Sequence, residues 1–345
     1  MCRARYRVVL GICVYMMLAL VPKSGYSATP YFTDPFISSP FSCAVPTPVP
    51  AGAGLNGSMV YTHPACPSES VPSSEGVTST DSDGASWLWR HNPPTGREHE
   101  TKVRFVLGST GGTKLVYVGA TYDARWKNSY STQGNGYVVT MTTSSGYNGG
   151  IQANVSIRRL QYGYSVDLAS FNVAITSTPT LRVVRTKLSG IWKILLHIDD
   201  VYIGSVIDST YISGSLYPGF GMMNSPADAY VDQVDHYAIE HGAPDNAALS
   251  AGLSHVAAPT YASFQWNPIG DSDGGSGYGA SGVARYEIYR DGAFRGAVKH
   301  VNAAMTYLDT GLTPSTSYNY IVRAVDFHGN STEVARAVTT SPGTV

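Results

Sequence analysis

Charged side chains are scarce in this chain. Asp, Glu, Lys and Arg make up 14% of its 345 residues, the formal net charge is -1, and Lys and Arg form no cluster. A nucleic-acid-binding surface needs a basic face that neutralises phosphates. The composition therefore excludes nucleic acid as a partner, whereas a hydrophobic fraction of 43% is enough to build buried cores.

Long apolar runs are also missing, except near the start of the chain. A segment with three arginines precedes an apolar run over residues 8–21, which is too short to span a bilayer comfortably. Small residues follow, and this order is typical of a signal peptide. We predict that residues 1–28 are removed by cleavage after Ser27 or Ala28, and that the protein is secreted without a membrane span.

Cysteine is rare. The chain has four cysteines, two of which fall in the predicted signal peptide, so Cys43 and Cys66 remain. Because an exported protein meets an oxidising compartment, such a pair is most simply a disulfide. Two free thiols or a metal-binding pair are the alternatives, although no second pair of ligands has metal-binding spacing.

Helical periodicity is absent, since no segment keeps an apolar repeat of 3.6 residues. Short alternating runs are instead separated by turn signals such as Gly111-Gly112 and Asp199-Asp200. The strands predicted before residue 243 are 86–89, 102–107, 114–122, 136–142, 151–159, 165–175, 181–187, 191–198, 201–207, 217–222 and 230–240. About eleven strands with short turns predict a two-sheet sandwich.

The C-terminal part of the chain has the same β character. Trp266 lies in a short strand, residues 286–290 form another that ends at Asp291-Gly292, and a long alternating strand begins near Tyr318. A Tyr just after a turn can place its hydroxyl against upstream backbone, as in the tyrosine corner of Greek-key sandwiches. We expect Trp266, Tyr286 and Tyr318 to pack in the core, because large aromatics dominate cores.

Several motifs follow one another in this region. They are Trp266, the run GVARYEIYRDG over residues 282–292, Leu312-Thr313-Pro314, Tyr318, and the run AVDFHGN over residues 324–330. In this order they resemble a fibronectin type III domain over residues 256–341, in the form attached to secreted bacterial polysaccharide-active proteins. The resemblance implies an immunoglobulin-like sandwich of seven strands, and it implies no function, because this fold is mostly a spacer or an adhesion module.

The preceding region carries a second resemblance. The segments LRVVR, IWKILLHIDDVYIGSV, YPGFGMM and AYVDQVDHYAIE follow one another between residues 181 and 240. A hairpin, a Gly-rich strand and a final strand with a Val-Asp start resemble the closing half of concanavalin A-like jelly rolls, the laminin G, lectin and glucanase superfamily. The two resemblances imply an all-β chain, with a jelly-roll sandwich over residues 29–242, a linker over residues 243–255, and the fibronectin type III domain.

Catalytic motifs are lacking. Glucanases of the resembled superfamily use a Glu-x-Asp-x-(x)-Glu arrangement, which this chain does not contain, so we assign no catalytic residue. An enzyme with an unfamiliar site near Glu98, His99 and Glu100 is the alternative. The simpler interpretation is a strand face in water, because Lys102 and Arg104 continue the charged side of this strand.

Two short acidic motifs are typical of calcium loops, Asp81-Ser82-Asp83-Gly84 and Asp271-Ser272-Asp273-Gly274. Neither continues with the later ligands of an EF-hand, and such segments are commonly turns. We keep Asp81 and Asp83 as candidate calcium ligands, because the resembled superfamily often holds a calcium ion. No other cofactor is expected.

One stretch combines aromatic and polar residues, namely Tyr122, Asp123, Trp126, Asn128 and Tyr130. Sugar sites combine an apolar platform with a few polar groups, and loops at sandwich ends commonly build them. These five residues are therefore the candidate ligand-binding residues. Packing is the alternative role for Trp126.

The sequence thus predicts a secreted, non-catalytic protein that binds a glycan or another surface polymer through its first domain, with the second domain as a spacer. A polysaccharide-active hydrolase or lyase is one alternative. A structural subunit or adhesin of an extracellular assembly is the other.

The predicted disulfide has a direct test. Reduction of the secreted protein should add the mass of two hydrogens and lower the free energy of unfolding by about 3 kcal/mol, because a tethered loop has less entropy when unfolded. Intact mass before and after reduction measures the first effect, and urea unfolding measures the second. The Cys43→Ser, Cys66→Ser double variant is the control, and an unchanged wild-type mass would reject the bond.

Overall fold

A computed structural model gives the fold of the chain. It describes residues 98–343, with gaps at 109–110, 121–124, 129–130, 146–149, 211–216, 224–228 and 276–278, together with five short strands before residue 98. The described part is all-β apart from one helix, and it forms two sandwiches with separate cores. The predicted signal peptide and the Cys43–Cys66 pair lie outside the described residues.

The first sandwich contains strands β1 to β17 among the described residues. Their bounds are β1 (Phe32–Asp34), β2 (Tyr61–Thr62), β3 (Pro72–Ser73), β4 (Gly76–Val77), β5 (Ala85–Trp89), β6 (His99–Val106), β7 (Thr113–Ala120), β8 (Arg125–Asn128), β9 (Ser131–Gln133), β10 (Gly136–Ser145), β11 (Ile151–Gln161), β12 (Tyr164–Ile175), β13 (Thr180–Leu188), β14 (Ile191–Ile198), β15 (Val201–Ile207), β16 (Tyr217–Met223) and β17 (Tyr230–Ala238). The eleven strands expected between residues 86 and 240 are all present, with ends that differ by a few residues, so this prediction is confirmed.

Two antiparallel sheets build this sandwich. Sheet A has the order β15-β14-β13-β6-β17-β4-β3, with β1 on β17, and sheet B has the order β12-β11-β10-β7-β16-β5-β2. Because successive side chains of a strand point to opposite faces, alternate residues such as Val139 and Met141 on β10 enter the core. They meet Phe105 and Val183 from sheet A, and all four are fully buried.

The second sandwich follows directly. Its elements are α1 (Asn246–Gly252), β18 (Ser254–Ala257), β19 (Tyr261–Trp266), β20 (Val283–Arg290), β21 (Ala293–Lys299), β22 (Met305–Thr310), β23 (Ser317–Asp326) and β24 (Ser331–Thr339). The strands form one sheet with the order β18-β19-β22 and another with the order β21-β20-β23-β24. The seven-stranded sandwich that the resemblance implies is therefore confirmed.

Residues 243–255, which we predicted as a linker, contain helix α1. The Asp245 side chain begins the helix by accepting a hydrogen bond from the Ala248 backbone N–H at 3.0 Å. Leu249 is fully buried in the core of the second sandwich. The helix is therefore packed against this sandwich.

Aromatic side chains fill the second core as expected. Trp266 and Tyr286 are buried with ring centroids 5.1 Å apart. Tyr318 is half-buried, and its hydroxyl oxygen accepts a hydrogen bond from the Thr313 backbone N–H at 2.9 Å. This contact is the predicted tyrosine corner, which ties β23 to the preceding turn.

Removal of the Tyr318 hydroxyl should destabilise the chain. Tyr318→Phe keeps the ring but leaves the Thr313 N–H without its acceptor, so we expect a loss of about 1 kcal/mol in the free energy of unfolding. Urea unfolding of the whole chain measures the loss. Tyr261→Phe, at an exposed tyrosine of β19, is the matched control, and equal stabilities for the two variants would contradict the role of the corner.

Candidate functional site

The outer face of sheet A is covered by the second sandwich. The turn between β23 and β24 lies on this face, with the Phe327 ring 3.7 Å from the Arg182 guanidinium carbon and 5.2 Å from the His197 ring. Gly329 of the same turn has a φ of 90°, and a Cβ there would lie 2.7 Å from Leu188 Cδ1. Only glycine fits this close approach without a shift of the neighbouring side chain.

Strand β14 of sheet A is buried on both of its faces. Ile194 and Leu196 point into the core of the first sandwich, whereas Leu195 and His197 on the opposite face are buried outside that core. Both faces of this strand are therefore covered, and the second sandwich helps to provide the outer cover through Phe327.

A buried ionic network lies at the centre of this junction. Arg182 Nε is 2.7 Å from Glu100 Oε1, and Arg182 Nη2 donates to Glu100 Oε2 at 2.7 Å. From the second sandwich, His328 Nε2 lies 3.0 Å from Glu100 Oε2, and its Nδ1 lies 3.1 Å from Glu240 Oε1. The four side chains are at most 1% exposed, so the two sandwiches complete one another's charge pairs.

This network corrects the interpretation of β6 as a charged face in water. Glu100 is 0% exposed, because His328 of the second sandwich lies on it. His99, on the opposite face of β6, is 1% exposed inside the first sandwich, where its Nε2 accepts a hydrogen bond from the Gly119 backbone N–H at 3.0 Å. Glu98 accepts hydrogen bonds from Thr186 Oγ1 at 3.1 Å and from the Lys187 backbone N–H. A polymer cannot reach Glu100, and the hypothesis of an enzyme site at these residues is therefore not favoured.

Burial and pairing shift the pKa values of this network. Burial lowers the pKa of Arg182 to about 9 and raises the pKa of Glu100. Burial alone would lower the pKa of His328, but hydrogen bonds to Glu100 and Glu240 raise it to about 9. The His328 imidazole is therefore charged at neutral pH and bridges two carboxylates.

Two further acidic side chains, Asp271 and Asp326, meet Glu240 beside His328. Single carboxylate oxygens of Glu240, Asp271 and Asp326 lie within 4.8 Å of one another, and oxygen ligands of this kind suit calcium. The oxygens of Asp326 accept hydrogen bonds from Asn330 N at 2.8 Å and Asn330 Nδ2 at 2.9 Å. Burial, followed by repulsion from Glu240, raises the pKa of Asp271 to about 6. These acids therefore belong to the hydrogen-bonded junction.

The acidic motif that contains Asp271 forms a turn. Asp273 Oδ1 accepts a hydrogen bond from the Gly275 backbone N–H at 2.9 Å. Asp271 Oδ2 accepts one from the Gly282 backbone N–H at 2.8 Å. The interpretation of this motif as a turn is confirmed.

Most of the candidate residues predicted from the sequence fall outside the described residues. These are Asp81, Asp83, Tyr122, Asp123 and Tyr130. The backbone of β8 carries the other two candidates, Trp126 opposite Thr132 and Asn128 opposite Ser131 on β9. The two strands form a small hairpin, which we call the β8–β9 hairpin.

The β8–β9 hairpin lies beside the ends of β11 and β12. The turn between these strands carries Tyr162 and Tyr164, whose side chains are 63% and 48% exposed. The sequence analysis missed both tyrosines. The signal that could have found them is a glycine turn, Gly163, flanked by tyrosines between two long alternating strands.

An exposed polar surface lies on the outer face of sheet B, at the opposite end of β11 and β12 from this turn. We call it the polar strip, and it consists of Thr142, Ser144, Gln152, Asn154, Ser170 and Asn172 on β10, β11 and β12. Thr142, Asn154 and Asn172 are direct cross-strand neighbours. Asn154 Nδ2 donates a hydrogen bond to Asn172 Oδ1 at 3.0 Å.

The polar strip has a definite chemistry. Its hydroxyl and amide groups are uncharged, and each both donates and accepts hydrogen bonds. Tyr162 and Tyr164, at the far end of β11 and β12, add aromatic surface. An uncharged, hydroxyl-rich ligand matches this combination, because polar groups fix its orientation while an apolar platform supplies contact area.

Comparisons with known proteins give partial similarity. No family model matches the chain. Part of it is similar to Exoglucanase B of Cellulomonas fimi, at 40% identity over 96 residues, which are 28% of this chain and 8% of that protein. A gellan lyase of Bacillus sp. is 38% identical over 63 residues (18% and 2%), and a chitinase of Paenibacillus xylanexedens is 36% identical over 105 residues (29% and 18%). The chain spans less than a fifth of the length of these relatives.

Solved structures give weak similarity. A carbohydrate-binding module from Bacillus subtilis has a TM-score of 0.33 at 13% identity, covering 51% of this chain and 91% of that chain. A legume lectin-like domain from Entamoeba histolytica has a TM-score of 0.35 at 9% identity (50% and 87%). Fibronectin(III)-like modules from Clostridium thermocellum have a TM-score of 0.24 at 10% identity (76% and 87%). The architecture above rests on the strands of the chain itself.

Among the described residues, no helix is both long and apolar enough to cross a bilayer.

The ionic network predicts a pH dependence. The folded pKa of His328 is raised from 6.5 to about 9, so its stabilising contribution is complete below pH 6.5 and is lost as the pH rises through about 9. The free energy of unfolding should therefore fall between pH 7 and about 9.5 in the wild type. In His328→Gln the part of this slope that comes from the imidazole should be absent.

Urea unfolding at a series of pH values measures the effect. The groups that face His328 are Glu100, Glu240, Arg182 and Asp326, and all four are kept in both proteins. His255→Gln, at an exposed histidine on β18, is the matched control and should keep the wild-type slope. Equal slopes for His328→Gln and the wild type would contradict the bridging role.

Proposed function

We propose that this chain is a secreted glycan-binding protein, whose ligand lies along the polar strip and against Tyr162 and Tyr164. The observation that carries the proposal is the difference in solvent exposure between the outer faces of the two sheets. The part of the outer face of sheet A around Glu100 and Arg182 is buried under the second sandwich, whereas the polar strip on sheet B is exposed. The polar strip is therefore a sheet surface of the first sandwich that a ligand can reach.

The separation of the two parts of the proposed site favours a polymer over a single sugar. From Gln152 to Tyr162 the strand β11 and its turn extend over about 30 Å, at roughly 3.3 Å per residue, and Ser156 and Leu160 between them are buried. A ligand that contacts both the polar strip and Tyr162 is therefore a chain of several sugar residues. Because the strip is uncharged, a neutral glycan suits it better than a highly charged polymer.

The strip also favours binding over hydrolysis. Glycoside hydrolysis usually needs two carboxyl groups that face one another across the scissile bond, about 5–10 Å apart. On this face, Asp167 is the acidic side chain that the described residues include beside the strip, and it forms an ion pair with Arg158 at 2.8 Å. We therefore keep the non-catalytic role that the sequence predicted.

The relatives support a polysaccharide context. Their names refer to an exoglucanase, a gellan lyase and a chitinase. The shared stretch is a small share of each relative, which suits an accessory domain better than a complete enzyme. Secretion follows from the predicted signal peptide and completes the proposal.

Binding assays test the location of the site. Tyr162→Ala should weaken binding about tenfold, which corresponds to about 1.4 kcal/mol, because it removes an exposed aromatic platform. The Asn154→Ala, Asn172→Ala double variant and Trp126→Ala should weaken binding as well. Depletion from solution by insoluble cellulose, chitin and xylan measures binding, with gel retardation in gellan for a soluble polymer.

Tyr261→Ala is the matched control, because it removes an exposed tyrosine from the second sandwich. Its binding should equal that of the wild type. Failure of the wild type to bind any of these polymers would reject the function. Unchanged binding in all strip variants would reject the location, and release of reducing ends would show an enzyme instead.

A further inference from the structure

A cavity of about 280 Å³ lies between the two sandwiches, away from the polar strip. The first sandwich contributes residues from the start of β15 and the turn before it, and the second contributes residues from β20 and β21. The side chains that matter for its chemistry are Asp200, Tyr202, Arg285, Glu287, Phe294 and Lys299. Ligand sites occur preferentially at domain interfaces, and this volume suits one small ligand.

Aromatic groups form two walls of this interdomain cavity. The Arg285 guanidinium carbon lies 3.9 Å from the centre of the Tyr202 ring, so these two side chains join the sandwiches. Phe294 is 58% exposed, and Tyr289 holds its ring in an edge-on contact at 5.6 Å. Phe294 therefore offers an accessible aromatic face in a fixed orientation.

Arg285 is fixed at the edge of the cavity by its ion pair. It donates through Nε and Nη2 to Glu287 Oε1, at 2.8 Å and 2.7 Å. Its guanidinium is therefore held against Tyr202, and the Glu287 side chain lines the cavity beside it.

The charges around the cavity are balanced. Glu287 pairs with Arg285, and Asp200 lies 3.6 Å from Lys102 Nζ. Lys299 Nζ donates a hydrogen bond to the Asp199 backbone oxygen at 2.9 Å. Because the cations and the carboxylates offset one another, a charged ligand would leave one charge without a partner. A neutral ligand with hydroxyl groups would keep this charge balance.

We propose that this interdomain cavity is a second saccharide site, which takes a single neutral sugar residue. The apolar face of the sugar packs on Phe294, and its hydroxyl groups donate to the carboxylates of Asp200 and Glu287. The second sandwich is then part of a binding site as well as a support.

Saturation-transfer NMR of the whole chain tests the site. The probes are glucose, mannose, galactose and N-acetylglucosamine, with glucuronate as the charged comparison. At least one neutral sugar should show saturable binding. Phe294→Ala removes the platform and Ala297→Leu fills the cavity from the same strand, and each should weaken that binding by about fivefold or more.

Two control variants separate this site from the polar strip. Val256→Ala, at an exposed apolar residue of β18, should bind the sugar as the wild type does. Tyr162→Ala should also keep sugar binding in the cavity, whereas Phe294→Ala should keep binding to polysaccharides. The two proposals are therefore tested separately, because loss of binding at one site does not change the binding measured at the other.

Three results would overturn the proposal. They are the absence of saturable binding for every neutral sugar, stronger binding of glucuronate than of the neutral sugars, and wild-type affinity in both Phe294→Ala and Ala297→Leu. Phe294 and Ala297 are both exposed, so the variants are expected to fold, and circular dichroism of each protein checks this.

Discussion

The structure depends on the placement of one buried carboxylate between two cations. Glu100 of the first sandwich binds Arg182 of its own sheet and His328 of the second sandwich. A buried charge is costly unless partners lie at hydrogen-bond distance, so this network tolerates little change in the relative position of the sandwiches. The second domain is thus held against the first, and it differs from a spacer joined by a free linker.

The junction also decides where a ligand can bind. By covering the outer face of sheet A, the second sandwich removes a surface that an isolated β-sandwich would expose. The same contact creates the cavity between Tyr202 and Phe294. One packing event therefore covers part of one sheet, leaves the polar strip on the other sheet accessible, and builds a small pocket at the boundary.

The sequence predicts the strands, the two sandwiches and the tyrosine corner, because these features depend on alternation and turns over short stretches. It does not predict the role of Glu100. A row of charges on β6 has the same pattern whether water or His328, far away in the chain, lies opposite. The sequence does not predict the position of Tyr162 and Tyr164 for a similar reason, since their place beside the β8–β9 hairpin is set by tertiary packing.

The chemistry of the polar strip sets what kind of recognition it can support. Each hydrogen bond to a sugar hydroxyl replaces one to water, so its net contribution is only about 0.5–1.5 kcal/mol. Aromatic surface such as that of Tyr162 adds apolar contact with no such exchange. Useful affinity therefore has to come from several weak contacts along an extended chain, which can reach both the polar strip and the tyrosines about 30 Å away.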